Sequence, residues 1–335
     1  MIFDAFNICA LHGETSQRRA NASFCTWNNA EATLFAIDHR WIRRTMSHSI
    51  SHLVDGRVHD LGDGFVVRRL LPHIDARHIG PFVFFDHMGP VTMAPGKGID
   101  VRPHPHIGLA TVTYLFDGAI RHRDSLGSVQ DIRPGDVNWM TAGRGIVHSD
   151  RTPDAERASG QKLHGIQIWI ALPQSAEEVA PEFHHHPVAS LPVIEHDGVR
   201  LRLVAGDALG LHAPVRIFAP MFYLAAEFAA GGRFTLPAEY AERGVYAVDA
   251  DLVVDGEPLA AQRMAVLAEG GDVEIVAPNG GHAVFFGGAP LDGERHLNWN
   301  FVSSSRERIE QARQDWAAQR FAKVPGETEF IPLPA

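Results

Sequence analysis

An all-β fold in two barrel-like halves, closed by one helix, is what this 335-residue sequence predicts. Glycine (31) and proline (21) punctuate the chain at short intervals, the rhythm of a strand-rich protein with many turns. Between these breaks lie short runs of β-branched and aromatic residues, several with a period of two. The hairpin and Gly-Asp turn signals of the first half recur in the second, which suggests a duplicated barrel.

Residues 1–45 differ from the rest. They hold both cysteines, Cys9 and Cys25, and two of the six tryptophans, and show neither the strand nor the helix period. No basic stretch precedes an apolar run, so they do not read as a signal peptide. They read as a disordered extension, with Met46 as an alternative start. Strand signals follow: Phe65–Leu71, then Pro81–Phe85, closed by Asp86-His87-Met88-Gly89-Pro90. Thr111–Phe116 meets the hairpin signal Asp117-Gly118, and Pro134-Gly135-Asp136 marks another turn. Ile166, Ile168 and Ile170 alternate with Gln167 and Trp169.

In the second half Val199, Leu201 and Leu203 alternate with arginines. Tyr246–Val254 leads into Asp255-Gly256, Val273–Val276 follows Gly270-Gly271-Asp272, and Ala283–Phe286 ends in Gly287-Gly288. A helix over 304–321 closes the chain. Ser304 with Glu307 fits a capping box, Ile309, Ala312 and Trp316 share one face, and Pro325-Gly326 lies beyond the end. A helix-like stretch at 175–180 links the halves. The expected division is an N-terminal metal-binding domain at 46–180 and a C-terminal domain without metal ligands at 181–325.

The bulk numbers narrow the function. Hydrophobic residues make up 45% and charged residues 21%, ordinary for a soluble globular protein. The formal charge is −10 with no long Lys/Arg run, which argues against nucleic-acid binding and against docking on anionic membranes. No apolar run reaches membrane-spanning length. Two cysteines argue against a disulfide framework or a thiolate metal site, and point to the cytoplasm.

With 20 histidines, only spacing separates ligands from background. His104 and His106 are two apart, so on a strand both point to one side. His148 comes 42 residues after His106, with Asp150 two further on. If the two strands are neighbours, three imidazoles and a carboxylate converge and leave room for water or substrate on one transition-metal ion. Asp150 alone can be read three ways: as a ligand, as a base, or as a hydrogen-bond partner of a ligand. His122 and His164 are candidates for supporting the ligands or for plain packing. His184-His185-His186, between Pro181 and Pro187, reads as a solvated run in the linker. His87 could border a pocket. Phe82, Phe84 and Phe85 could form an apolar wall or simply fill the core.

Longer motifs surround these positions. Pro-His-Pro-His at 103–106 precedes Gly108, and Tyr114-Leu115-Phe116-Asp117-Gly118 follows. Pro134-Gly135-Asp136 leads through Trp139-Met140-Thr141-Ala142-Gly143-Arg144-Gly145-Ile146 to His148. Further matches are His122-Arg123-Asp124-Ser125-Leu126-Gly127, His164–Trp169 and Asn298–Ser304. From about Val58 to Phe321 the sequence resembles the pirin family of bicupins. That resemblance implies two stacked β-barrels of jelly-roll type, the first holding iron through three histidines and a glutamate. The histidines fall on His104, His106 and His148. The glutamate falls on Asp150, one methylene shorter, which leaves direct ligation open. Ala110 and Thr111 stand where cupins commonly carry a carboxylate soon after the first histidine pair. His282 is isolated, so the second barrel is expected to be structural.

Some pirins cleave the flavonol quercetin with O₂. The resemblance therefore implies a quercetin 2,3-dioxygenase-like enzyme on a small aromatic or enolic substrate, with Asp150 as base. Iron is the expected metal, with Mn, Ni, Co, Cu and Zn as alternatives. The competing reading is a non-enzymatic, redox-sensing iron protein that acts through a protein partner. A sugar-isomerase or storage-type cupin ranks third, because the matched motif is specific to pirins.

Overall fold

The computed structural model describes residues 49–60 and 65–334. The expected extension at 1–45, its two cysteines and the Met46 start lie outside the described residues.

Among the described residues the regular structure is nearly all strand, and every strand pair is antiparallel. The N-terminal barrel has a seven-stranded sheet in the order Glu182–His186, Val137–Thr141, Leu109–Asp117, Gln161–Ala171, Phe82–Met93, Val66–Leu71, Arg57–Asp60. A four-stranded sheet closes it: Asp100–His106, Ile146–Arg151, Ile120–Asp124, Val129–Ile132. The C-terminal barrel repeats this plan. Its large sheet runs Ile50–Asp55, Arg263–Leu267, Glu242–Ala247, Gly281–Gly288, Met221–Phe228, Val199–Ala208, Val193–His196. Its small sheet runs Gly232–Leu236, Val273–Ala277, Leu252–Val254, Glu257–Leu259.

The two large sheets pack face to face. Leu70, Phe82, Phe85, Val112, Ile166, Ile168 and Ile170 of one interlock with Val204, Met221, Tyr223, Tyr246, Val284 and Phe286 of the other in a single buried cluster. Each such side chain contributes about 1.5–3 kcal/mol by leaving water. The alternation at 166–170 now has its meaning. The isoleucines face the other barrel, whereas Gln167 and Trp169 line the cavity of their own. Both faces of this strand are covered, so its even and odd residues are buried for different reasons.

The barrel interiors differ. One continuous apolar cluster fills the C-terminal barrel, from Val199 and Leu224 to Val245 and Phe285. The N-terminal interior is split. One cluster holds Phe84, Leu109, Met140, Ile146 and Trp169; another holds Phe65, Val67, Met88, Ile99 and Ile120. A cavity lies between them.

Strand pairing crosses the expected boundary at 180/181. Glu182–His186 is an edge strand of the N-terminal barrel, paired with Val137–Thr141. Conversely, Ile50–Asp55 pairs with Arg263–Leu267 in the C-terminal barrel, with Val54 fully buried. The segment after the second barrel returns to the first. Its hairpin, His296–Asn298 with Phe301–Ser303, bridges Ile107 through Phe301.

The closing helix spans Arg306–Ala317, shorter than the expected 304–321. Ile309, Ala312 and Trp316 are its buried face, as the spacing requires. Its cap is Ser305 and not Ser304. The Arg308 N–H donates to Ser305 Oγ at 3.1 Å, while the Ser304 N–H and hydroxyl are taken by the Glu177 carboxylate at 2.8 and 2.9 Å. Past Ala318, Gln319 turns into the left-handed region at φ 55° and ends the helix. The expected helix at 175–180 is only a 3₁₀ turn at Gln174–Ala176. Glu177 there is buried because it pairs with Arg295 at 2.8 Å as well as with the serines.

Candidate metal centre

The sequence around the histidines fixes their strands by two glycine turns. Gly108 ends the first histidine strand at φ 68°, and an added Cβ would lie 1.9 Å from the Val302 carbonyl oxygen. Gly143 precedes the second at φ 50°, and its added Cβ would lie 2.1 Å from the Val179 oxygen. Only glycine fits either place. The strands then pair antiparallel, with His104 opposite His148 and His106 opposite Ile146.

This register brings three rings together. Centroids are 4.3 Å apart for His104 and His148, and 5.0 Å for His106 with each of the others. All three are buried. Burial, then repulsion between the rings, pushes the His104 pKa down to about 3 and holds His106 well below the usual histidine value. Neutral imidazoles have one lone pair each. His104 donates from Nδ1 to the Arg102 carbonyl at 2.9 Å, which leaves Nε2 as its acceptor. His106 Nε2 and His148 Nε2 face each other at 3.1 Å. Two nitrogens bound at right angles to one ion at about 2.1 Å would stand about 3.0 Å apart. The three nitrogens lie close enough together to share one transition-metal ion.

Asp150 sits on the other side of His148. A register shift between His148 and Asp150 sets Asp150 opposite Val101 on one neighbouring strand, and it stands opposite His122 on the other. Its Oδ2 is 3.3 Å from His148 Nδ1 and its Oδ1 is 3.5 Å from His122 Nδ1. Burial raises the Asp150 pKa, but His148 and His122 outweigh it and hold the carboxyl well below the usual range. His122 is fixed in turn. It stacks on Phe183 at 4.3 Å and meets Asp124 Oδ2 at 3.1 Å through Nε2. Burial opposes its charge, but Asp124 and Asp150 prevail and raise its pKa.

The cavity over these rings measures about 490 Å³. Trp169 and Phe84 stack in parallel at 3.8 Å along one wall, and the Arg69 guanidinium covers the far face of Phe84 at 4.3 Å. Arg69 is held by a two-pronged pair with Asp86, both contacts at 2.8 Å. From the returning segment come Leu297, Trp299, Asn300 and Ile331. Trp299 adopts φ 53°, a conformation disfavoured for a bulky residue, at the turn of its hairpin.

All four expected site residues therefore converge, and His122 joins them. His164 does not. Its Nε2 meets His87 Nε2 at 2.8 Å, and His87 Nδ1 meets the Tyr246 hydroxyl at 2.7 Å, between the barrels. His184–His186 are not linker residues but lie on the edge strand; His184 is exposed, as expected of a solvated run, while His185 is half-buried and bonds Asn138 at 2.8 Å. Of the three phenylalanines only Phe84 lines the cavity; Phe82 and Phe85 pack between barrels. The Arg69–Asp86 pair and Ile331 escape sequence reasoning, because nothing in their spacing relates them to the histidines. Trp299 and Asn300 had a signal in the Asn298–Ser304 motif.

A family model described as Pirin matches residues 64–170, and one described as Pirin C-terminal cupin domain matches 223–322. The chain belongs to the pirin family. Its two barrels are thus those of a bicupin, and His104, His106 and His148 lie in the Pirin match. A pirin-like protein of Caulobacter vibrioides is 48% identical over 290 residues, covering 85% of this pirin and 99% of the relative. Human pirin is 30% identical over 279 residues, covering 81% and 92%. A crystal structure titled quercetin 2,3-dioxygenase from Acinetobacter baumannii superposes with a TM-score of 0.79 at 36% identity, covering 85% of this chain and 95% of that one. Among the described residues no helix is long and apolar enough to cross a membrane.

Proposed function

We propose that this pirin is a metal-dependent dioxygenase of flavonol-like, enolic aromatic substrates. The observation that carries the reading is a coincidence of place: three convergent imidazole nitrogens open onto an apolar-walled cavity of about 490 Å³. Small-molecule sites typically span about 300–1,000 Å³. The similarity to the Acinetobacter structure titled quercetin 2,3-dioxygenase supports the substrate class.

In this reading His104, His106 and His148 hold one divalent ion, iron first, with Mn, Ni, Co, Cu and Zn as alternatives that imidazole ligands accept. The ion, when bound, supplies Lewis-acid and template chemistry for a ring hydroxyl and O₂. The protein's own residues do the rest. The Trp169–Phe84 stack, with both faces of Phe84 already covered, bounds the cavity and offers the planar ring apolar contact along its exposed edge. Asp150, which borders the cavity, is the base of this reading; His148 and His122 hold its proton affinity low, so it would serve a substrate hydroxyl made acidic by a bound ion. Leu297 and Trp299 exclude water from the open side of the rings.

The test is a metal analysis of purified protein joined to quercetin absorbance in air after reconstitution with Fe, Mn, Ni, Co or Cu. The expected result is loss of the flavonol band that depends on bound metal and stops on chelation. A fully loaded protein that turns over quercetin with none of these metals rules out this substrate.

A further inference from the structure

We propose that the segment 325–334 is a roof over the metal cavity, and that Ile331 sets what reaches the ion. The inference rests on the metal site but not on flavonol chemistry. The segment lies beyond residue 322, where the match to the C-terminal cupin model ends.

Its course is specific. Val324 is buried with Ile309, Ala312 and Trp316 of the helix and with Ile107 and Val147, the neighbours of His106 and His148 in sequence. From there the chain crosses both ligand strands. On the His148 strand, Arg151 donates to Glu327 from Nε at 3.0 Å and from Nη2 at 2.7 Å, and reaches Glu329 at 3.0 Å. Ser149 adds a hydroxyl bond to Glu327 at 2.9 Å. On the other strand, the Ile331 N–H donates to the Pro103 carbonyl at 2.8 Å, one residue before His104. The Trp316 indole N–H donates to the Ile331 carbonyl at 2.9 Å. The Ile331 side chain then stands in the cavity wall with His104, His106, His148 and Asp150.

The fastening is discontinuous. No strand or helix runs through 318–334, and Thr328, Glu329 and Phe330 are exposed between the two anchors. A segment held at a few points opens more readily than the ladders beneath it. Glu327, whose side chain is only 10% exposed, is the deeper anchor, and Ile331 is the part that closes the cavity. Size selection follows from geometry: a shorter side chain at 331 widens the opening above the histidines, and a bulkier one narrows it.

Three variants of the full chain test this: Ile331→Ala, Glu327→Gln, and a deletion from Pro325 onward. Two rates are read in each, after circular dichroism and melting confirm the fold. The first is the removal of bound Ni(II) by a chromogenic chelator. The second is the acylation of His104, His106 and His148 by diethylpyrocarbonate in metal-free protein, read by peptide mass spectrometry. The expected result is a severalfold rise in both rates for Ile331→Ala and the deletion, a smaller rise for Glu327→Gln, and metal stoichiometry as in the parent. If the parent holds no stoichiometric metal, the metal reading fails while the acylation rates still judge the roof. Unchanged rates in folded Ile331→Ala and Glu327→Gln overturn the proposal, whether or not the deletion folds.

Discussion

Replacing His148 with alanine is expected to abolish stoichiometric metal binding. His148 is the hinge of the site. Its Nε2 faces His106 Nε2 at 3.1 Å, its Nδ1 faces Asp150 at 3.3 Å, and its backbone stands opposite His104. Without it, His104 and His106 remain as two neutral rings on one strand with no third nitrogen. His104→Ala should do the same, because it leaves only the facing pair His106 and His148, two nitrogens with no third. His122→Ala is the contrasting case. It touches no nitrogen that faces the cluster, so metal should remain, weakened by about 10–100-fold as for other partners of ligands. Elemental analysis after desalting reads all three. Stoichiometric metal retained in both His148→Ala and His104→Ala would refute the site.

The histidines were legible because a strand converts a spacing of two into a shared face. That rule needs no knowledge of the fold; it pairs His104 with His106 and His148 with Asp150, and the longer motifs around them separate these from His184 and His186, which have the same spacing. Partnership between strands was not legible. Ile50–Asp55 pairs with Arg263–Leu267, more than two hundred residues away, and no local pattern names a partner at that distance. The edge strand Glu182–His186 was misread for a related reason. Pro181 and Pro187 flank it closely and look like linker punctuation, yet both sit just outside the strand, where a missing N–H costs no ladder bond. The helix cap slipped by one residue because Ser303, Ser304 and Ser305 all qualify locally. A distant acid, Glu177, occupies two of them and leaves Ser305 for the helix. Each miss is a tertiary contact overriding a local signal, and each correct reading is a periodicity that the barrels preserve.

Asp150→Ala is expected to lower metal affinity by about 10–100-fold, the usual cost of losing a carboxylate that orients a ligating histidine. The geometry favours that role over a fourth metal bond. Both carboxylate oxygens point at Nδ1 atoms, one of His148 and one of His122, whereas the facing Nε2 atoms of His106 and His148 lie on the other edge of the ring. Removing the carboxylate takes away the anion that faces the buried His148 Nδ1 at 3.3 Å. The imidazole can then place its proton on either nitrogen, and the tautomer that protonates Nε2 cannot bind metal. Asp150→Glu should keep or raise affinity, and with it any oxygenase activity, because the added methylene lets the carboxylate approach the ion while its charge persists. Asp150→Asn separates the two roles: it keeps an acceptor for His148 and removes the anion. Cobalt-loaded protein gives the readout through its visible bands, which report the ligand set. If Asp150 only orients His148, the bands of the Asn variant match the parent and affinity falls modestly. If it ligates, the bands change. A large loss of both metal and activity in Asp150→Glu would instead show that the shorter acid is fitted to the space between His148 and His122, and that this pirin's departure from glutamate is part of how its site is built.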